Sequence, residues 1–187
     1  MTTPSDFQPV RVVLGACIAQ FTVIGLLISF AVFFKVFETE FGWSRTLISS
    51  TSSGAFLMMG VFAIFAGRLN DRLGPSVVLA VSGVIYGTGY FLMAHVTQPW
   101  HLLLLFGLFV SIGMGAHDVA TLSTVAKWFP GKRGLMTGVV KTGTAAGQIV
   151  VPLVAAYLIV QYGWKYALMA LGIAAIVLLL LSAIMVV

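Results

Sequence analysis

Asp118 and Lys141 each stand inside a long apolar stretch, where a charged side chain demands an explanation. A charge in mid-bilayer costs at least about 2.5–3.5 kcal/mol, so its retention points to function. Taking the turn near Pro130–Lys132 as one membrane interface, Asp118 lies ~18 Å up its helix and Lys141 ~13 Å up the next. Antiparallel neighbours at similar depth can pair through a long lysine stem. Thr137, Thr144 and Gln148 fall within about 60° of Lys141 on a helical wheel. On the preceding helix His117, Thr121 and Thr124 recur at i, i+4 and i+7. Two polar stripes on adjacent spans suggest a wetted path. A lysine there can attract the carboxylate of a small organic anion, while Asp118 or His117 trades a proton. A structural Asp118–Lys141 pair, or a Lys141 that snorkels to an interface, stands beside that reading.

The elements that must position these groups are six apolar runs. They cover roughly Val10–Phe37, Thr46–Ala66, Ser76–Val96, Trp100–Ala126, Leu135–Val160 and Tyr166–Val187. Each meets the roughly 20 residues needed to span a bilayer as a helix. Of the 187 residues 60% are hydrophobic and 8% charged, too few charges to cover a soluble domain. The expected fold is an all-α, multi-pass membrane protein in contact with lipid, forming one six-helix bundle over 1–187. The net charge of +5 does not imply nucleic acid, because the ten Lys and Arg are scattered and make no phosphate-tracking stripe. They serve better as topology signals. With the N-terminus cytoplasmic, Arg11, Arg68, Arg72, Lys127, Lys132 and Arg133 fall inside and Lys35, Arg45 and Lys165 outside. The expected location is the plasma (inner) membrane. Trp43, Trp100, Trp128 and Trp164 all fall at predicted span ends, where an indole favours the interface. The sixth run stops at Val187 with no polar flank, which reads as a chain cut short.

Two charged segments punctuate these runs. Gly67-Arg68-Leu69-Asn70-Asp71-Arg72-Leu73-Gly74 is expected as the turn between the second and third spans. Gly67 and Gly74 would let the backbone bend, and Asp71 offers a carboxylate to a helix N-terminus or an arginine. This segment resembles the loop signature G-x-L-x-D-R-x-G of the major facilitator superfamily, which latches two transporter halves on the cytoplasmic face. By that resemblance the latch comprises Gly67, Asp71, Arg72 and Gly74, with Lys132 and Arg133 of the second charged turn. The usual following basic pair is replaced by Pro75-Ser76.

A narrower resemblance joins Phe33-Phe34-Lys35, Phe41-Gly42-Trp43 and the Lys127-Trp128-Phe129 to Leu135 stretch to the monocarboxylate transporters and their bacterial relatives, including oxalate/formate antiporter-like carriers. The opening motif of the animal members is absent at Ser5–Val10, and their first-helix lysine falls on Ile28. The resemblance implies two three-helix inverted repeats, half of a twelve-helix secondary transporter whose C-terminal half is missing from this chain or replaced by a second copy. It implies symport or antiport of small organic anions. Gly134 with Gly138, and Gly143 with Gly147, are small-xxx-small pairs suited to close helix packing or sliding.

Other classes fit less well. A drug or neutral-solute carrier lacks its Gly-Pro signature after Gly147. A six-helix scaffold that transports nothing remains open. Gly131-Lys132 lacks the remainder of a phosphate loop, so no nucleotide is expected. No cofactor, metal cluster or catalytic constellation is expected, and the protein does not read as an enzyme.

Overall fold

The apolar runs fold as six long helices in a computed structural model that describes residues 7–186. Residues 1–6 and 187 lie outside the described residues, and with them Ser5 of the opening comparison and Val187 of the sixth predicted span. α1 spans Phe7–Phe41, α2 Arg45–Leu73, α3 Pro75–Met93, α4 Pro99–Trp128, α5 Arg133–Tyr162 and α6 Trp164–Met185. All six are long and apolar enough to cross a membrane. No strand occurs among the described residues. A bilayer core offers no water to the backbone, so each span satisfies its own hydrogen bonds.

Glycine terminates three of the helices. Gly42, Gly74 and Gly163 have φ of +65°, +84° and +85°, a region that costs a residue without Cβ little. Gly74 and Gly163 each form an entire connection by themselves. Pro75 opens α3, where a missing N–H is harmless, and Ser44 caps α2 by accepting from the Leu47 N–H at 3.3 Å. The expected turn at Gly67–Gly74 is therefore corrected. α2 continues seven residues past Ala66 because nothing between Gly67 and Leu73 breaks it, Gly67 is helical, and Gly74 alone bends the chain.

α1 packs chiefly on α5, α2 on α4 and α3 on α6. Exchanging α1–α3 with α4–α6 turns the first pairing into the second and returns the third to itself. That is the pattern of two inverted three-helix repeats. The crossings are close because glycines permit it. A Cβ added at Gly143 or Gly147 would run into the backbone of Cys17 or Phe21 on α1. One added at Gly87 would lie 2.6 Å from the Gly172 carbonyl oxygen, and one at Gly172 would lie 2.7 Å from that of Gly87. Gly134 and Gly138 do not share this role inside the bundle, since a Cβ at either meets nothing within 4 Å. At about 100° per residue they sit roughly 180° and 140° round α5 from Gly143, on the opposite side of the helix.

The core is aromatic. Phe30 stacks on Phe106 with ring centroids 3.9 Å apart, beside fully buried Phe33, Phe37, Tyr86 and Tyr90. The two tyrosine hydroxyls donate to the α1 carbonyls of Val23 and Leu26 at 2.7 and 2.8 Å, which fixes α3 against α1. Trp43 and Trp164 lie at helix ends and also join Phe37 and Phe41 in a cluster, whereas Trp100 and Trp128 remain exposed. Within α4, Leu105–Val110 winds as a wider π-helical turn. Directly after it the Ser111 hydroxyl donates to Gly107 O at 2.7 Å and to Ala55 O of α2 at 3.0 Å.

Candidate functional site

About a third of the way along α4 and α5 from the connection that joins them, α1, α4 and α5 bring one polar group each to a common point. Lys141 Nζ of α5 donates to Asp118 Oδ1 of α4 at 2.8 Å. Between them sits Gln20 of α1, fully buried. Its Nε2 donates to Asp118 Oδ1 at 2.6 Å and to Thr121 Oγ1 at 3.2 Å. Its Oε1 accepts from Lys141 Nζ at 3.1 Å and from Thr144 Oγ1 at 2.9 Å. Both donors of the amide and both lone pairs of its oxygen are thereby used. The Asp118 and Lys141 side chains keep 47% and 40% of their surface exposed, so the pair forms a front and Gln20 a back wall. The close α1–α5 crossing at Gly143 and Gly147 is what brings Gln20 within reach of α5.

His117 is buried behind Asp118. Its Nδ1 lies 2.7 Å from the Met114 carbonyl oxygen, which can only accept, so Nδ1 carries the proton in the neutral ring. Nε2 is then a bare lone pair with no hydrogen-bond partner, 3.6 Å from Asp118 Oδ1. That distance is too long for a hydrogen bond, but a proton on either atom would face the other. Thr121 is fully buried and donates to the His117 carbonyl at 2.6 Å.

The remaining candidates are placed apart from this cluster. Thr137 is half-buried one turn before Lys141, and Gln148 is exposed two turns after it. Neither hydrogen-bonds into the cluster. Asp71, Arg72, Lys132 and Arg133 are all exposed at one end of the bundle. There the inward-facing member of the charged motif is Asn70, 5% exposed, whose Nδ2 donates to Ser123 of α4 at 3.3 Å. Gln20 is the residue that sequence reasoning missed. The signal was an amide alone in an apolar run, which hydrocarbon penalises in the same way as a charge, if less severely.

Among the described residues no group of His, Cys, Asp or Glu could hold a metal ion. What the site offers is a partly exposed cation and anion on the surface of the bundle, backed by uncharged donors and acceptors.

The profile describing the Major Facilitator Superfamily matches residues 14–187. The chain belongs to that superfamily. Among curated superfamily members it is 27% identical over 179 residues to MFS-type transporter 1 of Ophiocordyceps sp. (strain BCC 1869), covering 95% of this chain and 40% of that protein. It is 30% identical over 137 residues to the uncharacterized MFS-type transporter YhjX of Escherichia coli (strain K12), covering 72% and 34%. It is 28% identical over 158 residues to monocarboxylate transporter 13 of Rattus norvegicus, covering 84% and 37%. Among solved structures, tetrameric PepTSo2 superposes with a TM-score of 0.72 at 20% identity, over 95% of this chain and 40% of that one, a likeness of fold. The chain thus spans 40% or less of the length of each of these proteins.

Proposed function

We propose that this chain forms the N-terminal six-helix half of a secondary active transporter for small organic anions, monocarboxylates among them. The N-terminus is cytoplasmic in this reading, the membrane is the plasma (inner) membrane, and a second half completes the central cavity. The observation that carries the proposal is the Lys141–Asp118 pair, half-exposed within two spans and held by uncharged hydrogen-bonding partners. As it stands the pair is neutral. A carboxylate that docks on the Lys141 ammonium leaves the site with one excess negative charge, which a low-dielectric surrounding penalises heavily. A proton on Asp118, or on the neighbouring His117 Nε2, restores neutrality and frees Lys141 for the incoming carboxylate. Anion and proton then occupy the site together. The similarity to a protein named as a monocarboxylate transporter supports the substrate class.

The test is uptake of labelled lactate, formate and oxalate into proteoliposomes holding the complete protein. Lys141→Met should abolish carboxylate uptake while expression and membrane insertion stay normal. Uptake equal to wild type would remove Lys141 from the substrate path and leave the pair as a structural tie between α4 and α5.

A further inference from the structure

Neither end of the Lys141–Asp118 pair is positioned by its own helix alone. Lysine carries four rotatable bonds and loses much rotamer freedom when held, so a fixed ammonium needs an anchor. The anchor is a single amide on a third helix. Gln20 touches all four of Asp118, Thr121, Lys141 and Thr144, and it has no exposed surface through which to meet a solute.

We infer that Gln20 is the positioning residue of the carboxylate site. It sets where the Lys141 ammonium waits, its amide oxygen holding at 3.1 Å the same ammonium that Asp118 holds at 2.8 Å. The inference rests on the reading of Lys141 and Asp118 as the carboxylate and proton groups. Its chemistry follows from the orientation of the amide. The oxygen faces the two donors from α5, and the nitrogen faces the two acceptors from α4. Only a side chain with a donor and an acceptor on adjacent atoms satisfies both helices at once. The titratable groups around Asp118 are His117 on its own helix and Lys141 on α5. On α1, Cys17 is turned away, with Sγ 3.7 Å from the Val139 carbonyl oxygen.

Two substitutions separate positioning from mere support. Gln20→Leu keeps the bulk and removes both functions. Gln20→Glu keeps the acceptor facing Lys141 and Thr144 but, while ionised, donates nothing to Asp118 and competes with substrate for the ammonium. Protonated, that glutamic acid again presents an oxygen acceptor beside an O–H donor, restoring one of the amide's two donations. The measurement is the KM and kcat of proteoliposome uptake by the complete protein from mildly alkaline to mildly acidic pH. The substrate is whichever of labelled lactate, formate or oxalate the wild type carries best.

Gln20→Leu is expected to raise KM roughly tenfold at every pH with kcat nearly unchanged, the scale of one lost hydrogen bond to a charged group. Gln20→Glu is expected to raise KM further at alkaline pH and to recover toward wild type on acidification. If Gln20→Leu does not assemble, the acid recovery of Gln20→Glu decides by itself. A KM equal to wild type in both variants, or an equal fall in kcat at all pH with KM unmoved, overturns the inference. Lys141→Met run in parallel tells the two readings apart. Should it also carry the anion with wild-type KM, the carboxylate site itself is lost.

Discussion

Asp118 Oδ1 accepts from both Lys141 and Gln20 and lies 3.6 Å from the bare Nε2 of His117. In the proposed mechanism this oxygen is where the coupling proton is taken up. Asp118→Asn fixes that position in the neutral form and leaves Lys141 without its counter-ion. Exchange of labelled carboxylate across the membrane should persist in this variant. Proton-driven accumulation should fall to the level of passive equilibration and lose its dependence on pH. A counterflow assay beside a pH-jump uptake assay reads both quantities, and accumulation that still follows the proton gradient would move the coupling proton elsewhere.

Among the elements, α5 carries the clearest division of labour between its faces. Gly143 and Gly147 lie against the α1 backbone, whereas Gly138 meets nothing. Gly147→Ala should therefore cost about 1–3 kcal/mol through overpacking. Gly138→Ala should gain up to about 1 kcal/mol by stiffening an exposed helical position. Thermal unfolding of the purified six-helix chain in detergent checks both signs, and equal effects would mean that the α1–α5 crossing does not depend on glycine. The six spans themselves were legible in the sequence, since hydrocarbon leaves a 20-residue apolar run little choice but a helix. The end of α2 was not, because Gly67 and the charges after it look like a turn when read along the chain. A helix tolerates all of them until Gly74. Within the site, Asp118, His117 and Lys141 announced themselves by charge. Gln20 did not, because its importance lies in contacts made across about a hundred residues of chain, which no local pattern carries.

At the scale of the whole molecule, the bundle is unevenly covered. α2 and α5 bury much less of themselves than α1, α3 and α4 do, and they expose Leu57, Ile64, Phe65, Leu153 and Val160 among others. In the proposed transporter these are faces that lipid and the second half share. The proposed orientation is testable on this chain with single cysteines in a Cys17→Ala background. A membrane-impermeant thiol reagent added to intact cells should label Thr97→Cys, in the α3–α4 connection, and spare Gly131→Cys, in the α4–α5 connection. The opposite pattern would invert the topology. One consequence of the broad turn at Leu105–Val110 bears on any comparison of this chain by counting. A π turn holds a residue more than its α equivalent and so advances the helical phase by about 100°. Positions on opposite sides of that turn change their relation: Leu102 and Asp118, about 160° apart on a regular 3.6-residue wheel, come to roughly 60° of each other. Aligned without a one-residue gap to a helix that is regular at this point, α4 will set an inward side chain opposite an outward one, and the slip begins at Leu105.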